Sequence, residues 1–109
     1  MSYEYISFLM KLKPNNENEY KKRHKNIWPE LITALKNAGI NEYRIFYDKN
    51  TDMLFAFQQI NQCNSVEELS SLPIMKKWWE MMSDIMEHNE DKSPRVCFLE
   101  QVFDFKNHI

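Results

Sequence analysis

Between Tyr3 and Lys13 apolar and polar positions alternate along the chain. Ile6, Phe8, Met10 and Leu12 share one face, and Tyr5, Ser7, Leu9 and Lys11 share the other, which is the two-residue period of a strand. The second face is mixed rather than wet. Pro14-Asn15-Asn16 ends the run, and an asparagine there can cap a helix. Glu17 to about Asn26 reads as a charge-rich helix. Trp28-Pro29 interrupts it, because the residue before a proline is pushed out of the α region, and Pro29 fits the first position of a second helix. That helix carries Leu31, Ile32 and Leu35. It ends at Gly39, the chain's one glycine, where a left-handed C-cap is needed.

Asn41 to Tyr47 reads as a second strand with Tyr43, Ile45 and Tyr47 on one face. Asp48-Lys49-Asn50-Thr51 supplies turn chemistry, and Met53 to Ile60 returns as a third strand, so the two make a hairpin. A short helix is predicted near Ser65–Ser70. Pro73 then opens a long one reaching about Glu87, with Ser70 or Ser71 as its cap. Its apolar positions form two adjacent rows, Ile74-Trp78-Met81-Ile85 and Met75-Trp79-Met82-Met86. After a loop from His88 to Pro94 a last strand is predicted over Arg95 to Phe105.

The order β-α-β-β-α-β is the ferredoxin-like arrangement of the α+β class, a four-stranded antiparallel sheet with both helical units on one side. Residues 1–109 make one domain, since a chain of this length holds one core. Every strand nevertheless carries apolar or aromatic residues on both faces. A bare apolar sheet face is unusual in a monomer, so the pattern predicts a symmetric homodimer in which two sheets meet, curling into a dimeric α/β barrel.

Composition narrows the function classes. Three tryptophans, five tyrosines and seven phenylalanines either fill a core or line a site for a flat or ring-shaped ligand. A net charge of −2 gives no footprint for nucleic acid. Cys63 and Cys97 stand apart from any CxxC or histidine cluster, so no metal site is expected and a reducing, cytoplasmic setting is. No apolar run approaches the roughly 18 residues of a membrane span, and no secretory leader precedes the first polar stretch.

Two constellations could carry chemistry. Tyr20 and His24 stand at i and i+4 and project from one face of the first helix. From pattern alone, Tyr20 also reads as a packing residue, and His24 as a solvated or capping histidine. The run Lys21, Lys22, Arg23, Lys25 reads as a solvated face. Trp78 and Trp79 diverge by about 100° on their helix, so one can enter the core while the other reaches a cleft. Core filling by both is the plainer reading. Tyr43 is by itself an ordinary strand aromatic, and His88 and His108 are surface histidines. Asp84 interrupts the apolar side of its helix and could orient a partner, though a solvent-facing aspartate is the plainer reading. Nucleophile-triad, phosphate-loop, dinucleotide and zinc signatures are absent.

The stretch Glu19-Tyr20, Arg23-His24 and Ile27-Trp28-Pro29-Glu30-Leu31 resembles the signature of the L-rhamnose mutarotase family. The resemblance continues through Asn41, Tyr43, Ile45, Asp48 and Leu54-Phe55-Ala56. It resumes at Trp78-Trp79, Met82, Asp84, Met86, Ser93-Pro94 and Val102-Phe103. It implies a dimeric ferredoxin-like fold, a catalytic histidine matching His24, and sugar contacts matching Tyr20, Tyr43, Trp78 and Trp79. It also implies an isomerase that interconverts the anomers of L-rhamnose without a cofactor. Lys25-Asn26 and the loop Asn89-Glu90-Asp91-Lys92 depart from the family pattern, outside the implied site.

The chemistry suits those residue types. Opening a pyranose to its aldehyde takes a proton from the anomeric hydroxyl and gives one to the ring oxygen, which a histidine of ordinary pKa about 6.5 can do near neutrality. Tyrosine hydroxyls hold sugar oxygens, and indole faces stack on the C–H patch that a 6-deoxy-sugar enlarges. Three other readings compete: a cofactor-independent oxygenase on the same dimeric fold, a non-catalytic sugar-binding protein, and an RNA binder of the same strand order. The acidic balance disfavours the last.

Overall fold

In a computed structural model, which describes residues 2–109, the N-terminal alternating run forms β1 (Tyr3–Lys11). It is followed by α1 (Glu17–Lys25), α2 (Pro29–Asn37) and the hairpin β2 (Ile40–Asp48) and β3 (Met53–Asn61). A 3-10 turn (Val66–Ser71), α3 (Pro73–Met82), β4 (Cys97–Leu99) and a terminal 3-10 turn (Phe105–His108) complete the chain. The four strands lie in the order β2-β3-β1-β4, antiparallel throughout, which is the ferredoxin-like α+β arrangement.

Register assigns the faces. Phe8 lies opposite Ala56 and Met10 opposite Leu54, while Tyr43, Ile45 and Tyr47 pair with Gln58, Ala56 and Leu54. These residues face the helices, and Leu12, Leu31 and Leu54 are fully buried at the centre of the core with Trp78 and Met82. The opposite face carries Tyr5, Leu9, Phe46, Phe55, Phe57 and Leu99, with Tyr5 stacked on Phe57 at 5.7 Å. Phe46 stands 63% exposed there.

Local signals explain the element ends. Trp28 is extended, with φ −68° and ψ 131°, as the residue before Pro29 must be, and Pro29 opens α2. Gly39 closes α2 at φ +104°, where a Cβ would stand 3.0 Å from the Asn64 Cβ. Asn16 occupies the cap position of α1, but its side chain donates backwards to the carbonyls of Lys13 and Pro14. Ser70 and Ser71 likewise donate to Glu67 and Glu68, and Leu72 precedes α3.

Two expected elements are shorter than the pattern suggests. α3 ends at Met82 rather than near Glu87, because the chain there is captured by the continuation of β1. Lys13 N–H donates to the Ile85 carbonyl at 2.9 Å and Glu87 N–H to the Lys11 carbonyl at 3.0 Å. Ile85 and Met86 stay buried without being helical. β4 pairs with β1 only over Cys97–Leu99, against Ser7–Leu9. Beyond it Val102, Phe103 and Phe105 keep their apolar character but have no strand to pair with, and they stand exposed.

Candidate active site

A cleft of about 840 Å³ opens between α1, α3 and the helix-facing side of β2. Tyr20 and His24 reach it from α1, Tyr43 from β2, and Trp78 and Trp79 from α3, so the fold brings all five sequence-derived candidates to one cavity. The i, i+4 spacing sets the Tyr20 and His24 rings 4.2 Å apart, centroid to centroid. Trp78 presents its ring to His24 at 5.4 Å and 89°, edge to face. The two tryptophans diverge as neighbouring helical residues must: Trp78 is buried at the cleft floor, while Trp79 is half-buried on its wall.

The His24 tautomer is set by its partner. Nδ1 lies 3.1 Å from the Tyr20 carbonyl oxygen, and a carbonyl only accepts. Nδ1 therefore carries the hydrogen, and Nε2 keeps its lone pair. Burial lowers the His24 pKa below its ordinary value, with the Tyr20 carbonyl acting weakly the other way, so the ring is a neutral base at pH 7.

The phenols behave oppositely. Burial drives the Tyr20 hydroxyl far above the usual phenol range, and the nearby Tyr43 phenol adds to the rise. Burial pushes the Tyr43 hydroxyl up to about 12, with Gln58, opposite it in the sheet, acting the other way. Both remain protonated near neutrality, each with a hydroxyl hydrogen to donate. No cluster of metal-ligating side chains occurs among the described residues.

The structure adds residues that the pattern had placed elsewhere. Trp28 packs edge-on against Trp78 at 5.1 Å and 86°, so the helix break also buttresses the cleft floor. His88, Lys92 and Pro94 line the cleft from the loop after α3. His88 was legible only as a loop residue, because the Leu12–Met86 bridge that turns the loop inward leaves no signal in spacing. Arg23, expected on a solvated face, and Asp84, read chiefly as solvent-facing, pair with each other. The Arg23 guanidinium grips the Asp84 carboxylate through two nitrogens, at 2.7 and 3.1 Å, which holds that carboxyl below its usual range.

Comparison with known proteins gives one consistent result. A family model described as L-rhamnose mutarotase matches residues 5–105. An L-rhamnose mutarotase from Flavobacterium johnsoniae is 48% identical over 97 residues, covering 89% of this chain and 91% of that one. One from Paraburkholderia phytofirmans is 46% identical over 100 residues, covering 92% and 94%. The crystal structure of an L-rhamnose mutarotase from Formosa agariphila superposes with a TM-score of 0.86 at 44% identity, over 93% of this chain and 97% of that one. A putative antibiotic biosynthesis monooxygenase from Chloroflexus aurantiacus has a TM-score of 0.58 at 12% identity, a likeness of fold alone.

Proposed function

The chain belongs to the L-rhamnose mutarotase family, and on that premise we propose that His24 performs the proton transfers of its anomer exchange. As a family member the chain is a carbohydrate isomerase, interconverting the α and β anomers of L-rhamnopyranose. One observation carries the histidine assignment. The Nδ1–H bond to the Tyr20 carbonyl leaves Nε2 as the free base in an aromatic cleft.

In the forward half-reaction Nε2 takes the proton of the anomeric hydroxyl as the bond from C1 to the ring oxygen breaks. The imidazolium so formed gives that proton to the ring oxygen, leaving the open aldehyde. Rotation of the aldehyde and the reverse transfers close the ring on its other face. Tyr20 and Tyr43, held protonated, donate to sugar oxygens, and Trp78 and Trp79 receive the C–H face of the ring. A positioned acid/base of this kind accounts for roughly 10²–10⁴-fold of the rate. No cofactor enters these steps.

The working unit in this reading is a homodimer that covers the aromatic sheet face, formed from one domain per chain. The cytoplasm is its setting, which the two free thiols Cys63 and Cys97 support. No helix among the described residues is long and apolar enough to cross a membrane.

Exchange NMR on L-rhamnose, with and without protein, tests the proposal because it reads anomer interconversion at unchanged equilibrium concentrations. Wild-type protein is expected to accelerate exchange and His24→Ala to lose most of the acceleration. Near-wild-type exchange by a folded His24→Ala protein would remove the assignment.

A further inference from the structure

The geometry points to Arg23 as a positioning residue that locks the last turn of α1 onto the end of α3 and so holds the His24 ring against Trp78. The inference rests on the reading of His24 as the proton-transfer group. α1 is a poorly anchored helix. It is strongly polar, and Tyr20, near its middle, is the one residue it buries. Beyond Tyr20 only a turn remains before Asn26 closes the helix, and His24 stands in that turn, where helices fray.

Arg23 supplies the missing anchor. Besides its two-pronged contact with Asp84, its Nη1 donates to the Met81 carbonyl at 2.7 Å, and its Nε donates to Glu19 at 2.8 Å. Four of the five N–H groups of the planar fork are thus engaged, by one partner on its own helix and two on α3 or just beyond it. Met81 lies three residues past Trp78, on the same side of α3, so the clamp closes beside the contact between His24 and Trp78.

Exposure separates positioning from bulk stability. The Asp84 side chain is 66% exposed and that of Arg23 18%. An ion pair with one partner so open to water contributes little to global stability, whereas its two-pronged geometry fixes orientation well. Tyr20 keeps its seat in the core whether or not the clamp is made. Loss of the clamp should therefore free His24 while leaving sugar binding in place.

The test is isosteric. Asp84→Asn should lower kcat for anomer exchange roughly tenfold while KM stays within about twofold, the signature of a misplaced reacting group. In the same protein the His24 ring proton resonances should move toward random-coil positions, because the ring leaves the shielding fields of Tyr20 and Trp78. Asp84→Glu should restore part of the rate. Glu19→Gln breaks only the contact within α1 and should behave as wild type. Unchanged kcat with unmoved His24 resonances in Asp84→Asn would overturn the inference. So would an equal loss from Glu19→Gln, or a fall in kcat explained by a large drop in melting temperature. Were His24→Ala itself to retain exchange, the reading of His24 would fail separately, and the resonance shift would still report on the clamp.

Discussion

The Tyr20 and His24 rings lie 4.2 Å apart on one face of α1, and the Tyr20 carbonyl accepts the hydrogen bond from the His24 ring. One residue therefore contributes a phenol to the cleft and, through its backbone, selects which nitrogen of its neighbour is basic. This coupling comes from helical geometry, since the carbonyl of residue i points toward residue i+4. It makes the i, i+4 pair a unit: the base is oriented by the helix, and the phenol next to it remains a donor.

His24→Ala should lose on the order of 10²–10⁴-fold in exchange rate, the span of a positioned acid/base, while unfolding remains cooperative. His24 is only half-buried, so its removal leaves the central leucines in contact. Circular dichroism melts beside the exchange measurement check both halves.

The pH profile is set by the direction of the His24 shift. The folded-state pKa lies below 6.5, so the neutral base survives as the pH falls through 6.5 and is lost only at the lower folded-state value. Exchange should keep more than half of its plateau rate at pH 6.5 and decline further into acid. Stability runs with the same sign: it falls with pH below 6.5, where the unfolded chain takes up the proton first, and is level above that. An exchange rate that halves at or above pH 6.5 would contradict the burial of this ring.

Sugar binding should be read chiefly by Trp79. Trp78 is 7% exposed and already wedged between Trp28 and His24, whereas Trp79 is half-buried on the cleft wall. Trp79→Phe should remove most of the fluorescence change on adding L-rhamnose, and Trp28→Phe should leave it. A signal that vanished only with Trp28 would put the ligand elsewhere.

Periodicity made the strands, the hairpin and the helices legible because each rests on contacts close in sequence. Tyr43, Ile45 and Tyr47 alternate in the sequence and share the helix-facing side of the sheet, where Ile45 and Tyr47 pack on the core. The shortfalls come from contacts distant in sequence. The apolar rows through Ile85 and Met86 persist past α3 because the core continues, while the backbone there bonds to Lys11 and Lys13 instead of to its own helix. The same limit hid Arg23 behind a basic run, since its partner Asp84 lies 61 residues away. The site candidates were legible as chemistry only where a motif carried them, because two helical tryptophans and a strand tyrosine look like core until the fold closes over them.

Gly39→Ala should destabilise the protein by about 1–3 kcal/mol, the cost of a strained left-handed residue. The φ of +104° strains any side chain, and the new methyl would press on the Asn64 Cβ at 3.0 Å, where the start of the loop after β3 packs against the α2 terminus. Denaturant unfolding should show the loss as a lower midpoint with an unchanged slope.

The protein should sediment as a dimer that resists salt. Leu9, Phe46, Phe55 and Leu99 lie on the sheet face that no helix covers, and Tyr5 and Phe57 stack upon it. The tail past β4 adds Val102, 89% exposed, with Phe103 and Phe105. Apolar surface of this extent on one side is costly to leave in water, and a second copy offers the same face in return. Burial of about 800 Å² per partner would make an ordinary stable interface. Arg44 and Glu42 on that face already pair within the chain at 2.7 Å, so few charges remain to bind across it. Since its contacts would be largely apolar, salt at about 0.5 M should leave the association intact, whereas an interface of screened charges would weaken. Sedimentation equilibrium over a concentration series at low and high salt decides the matter. A monomer at tens of micromolar, or a dimer that dissolves in salt, would mean that this face is covered by the chain's own tail.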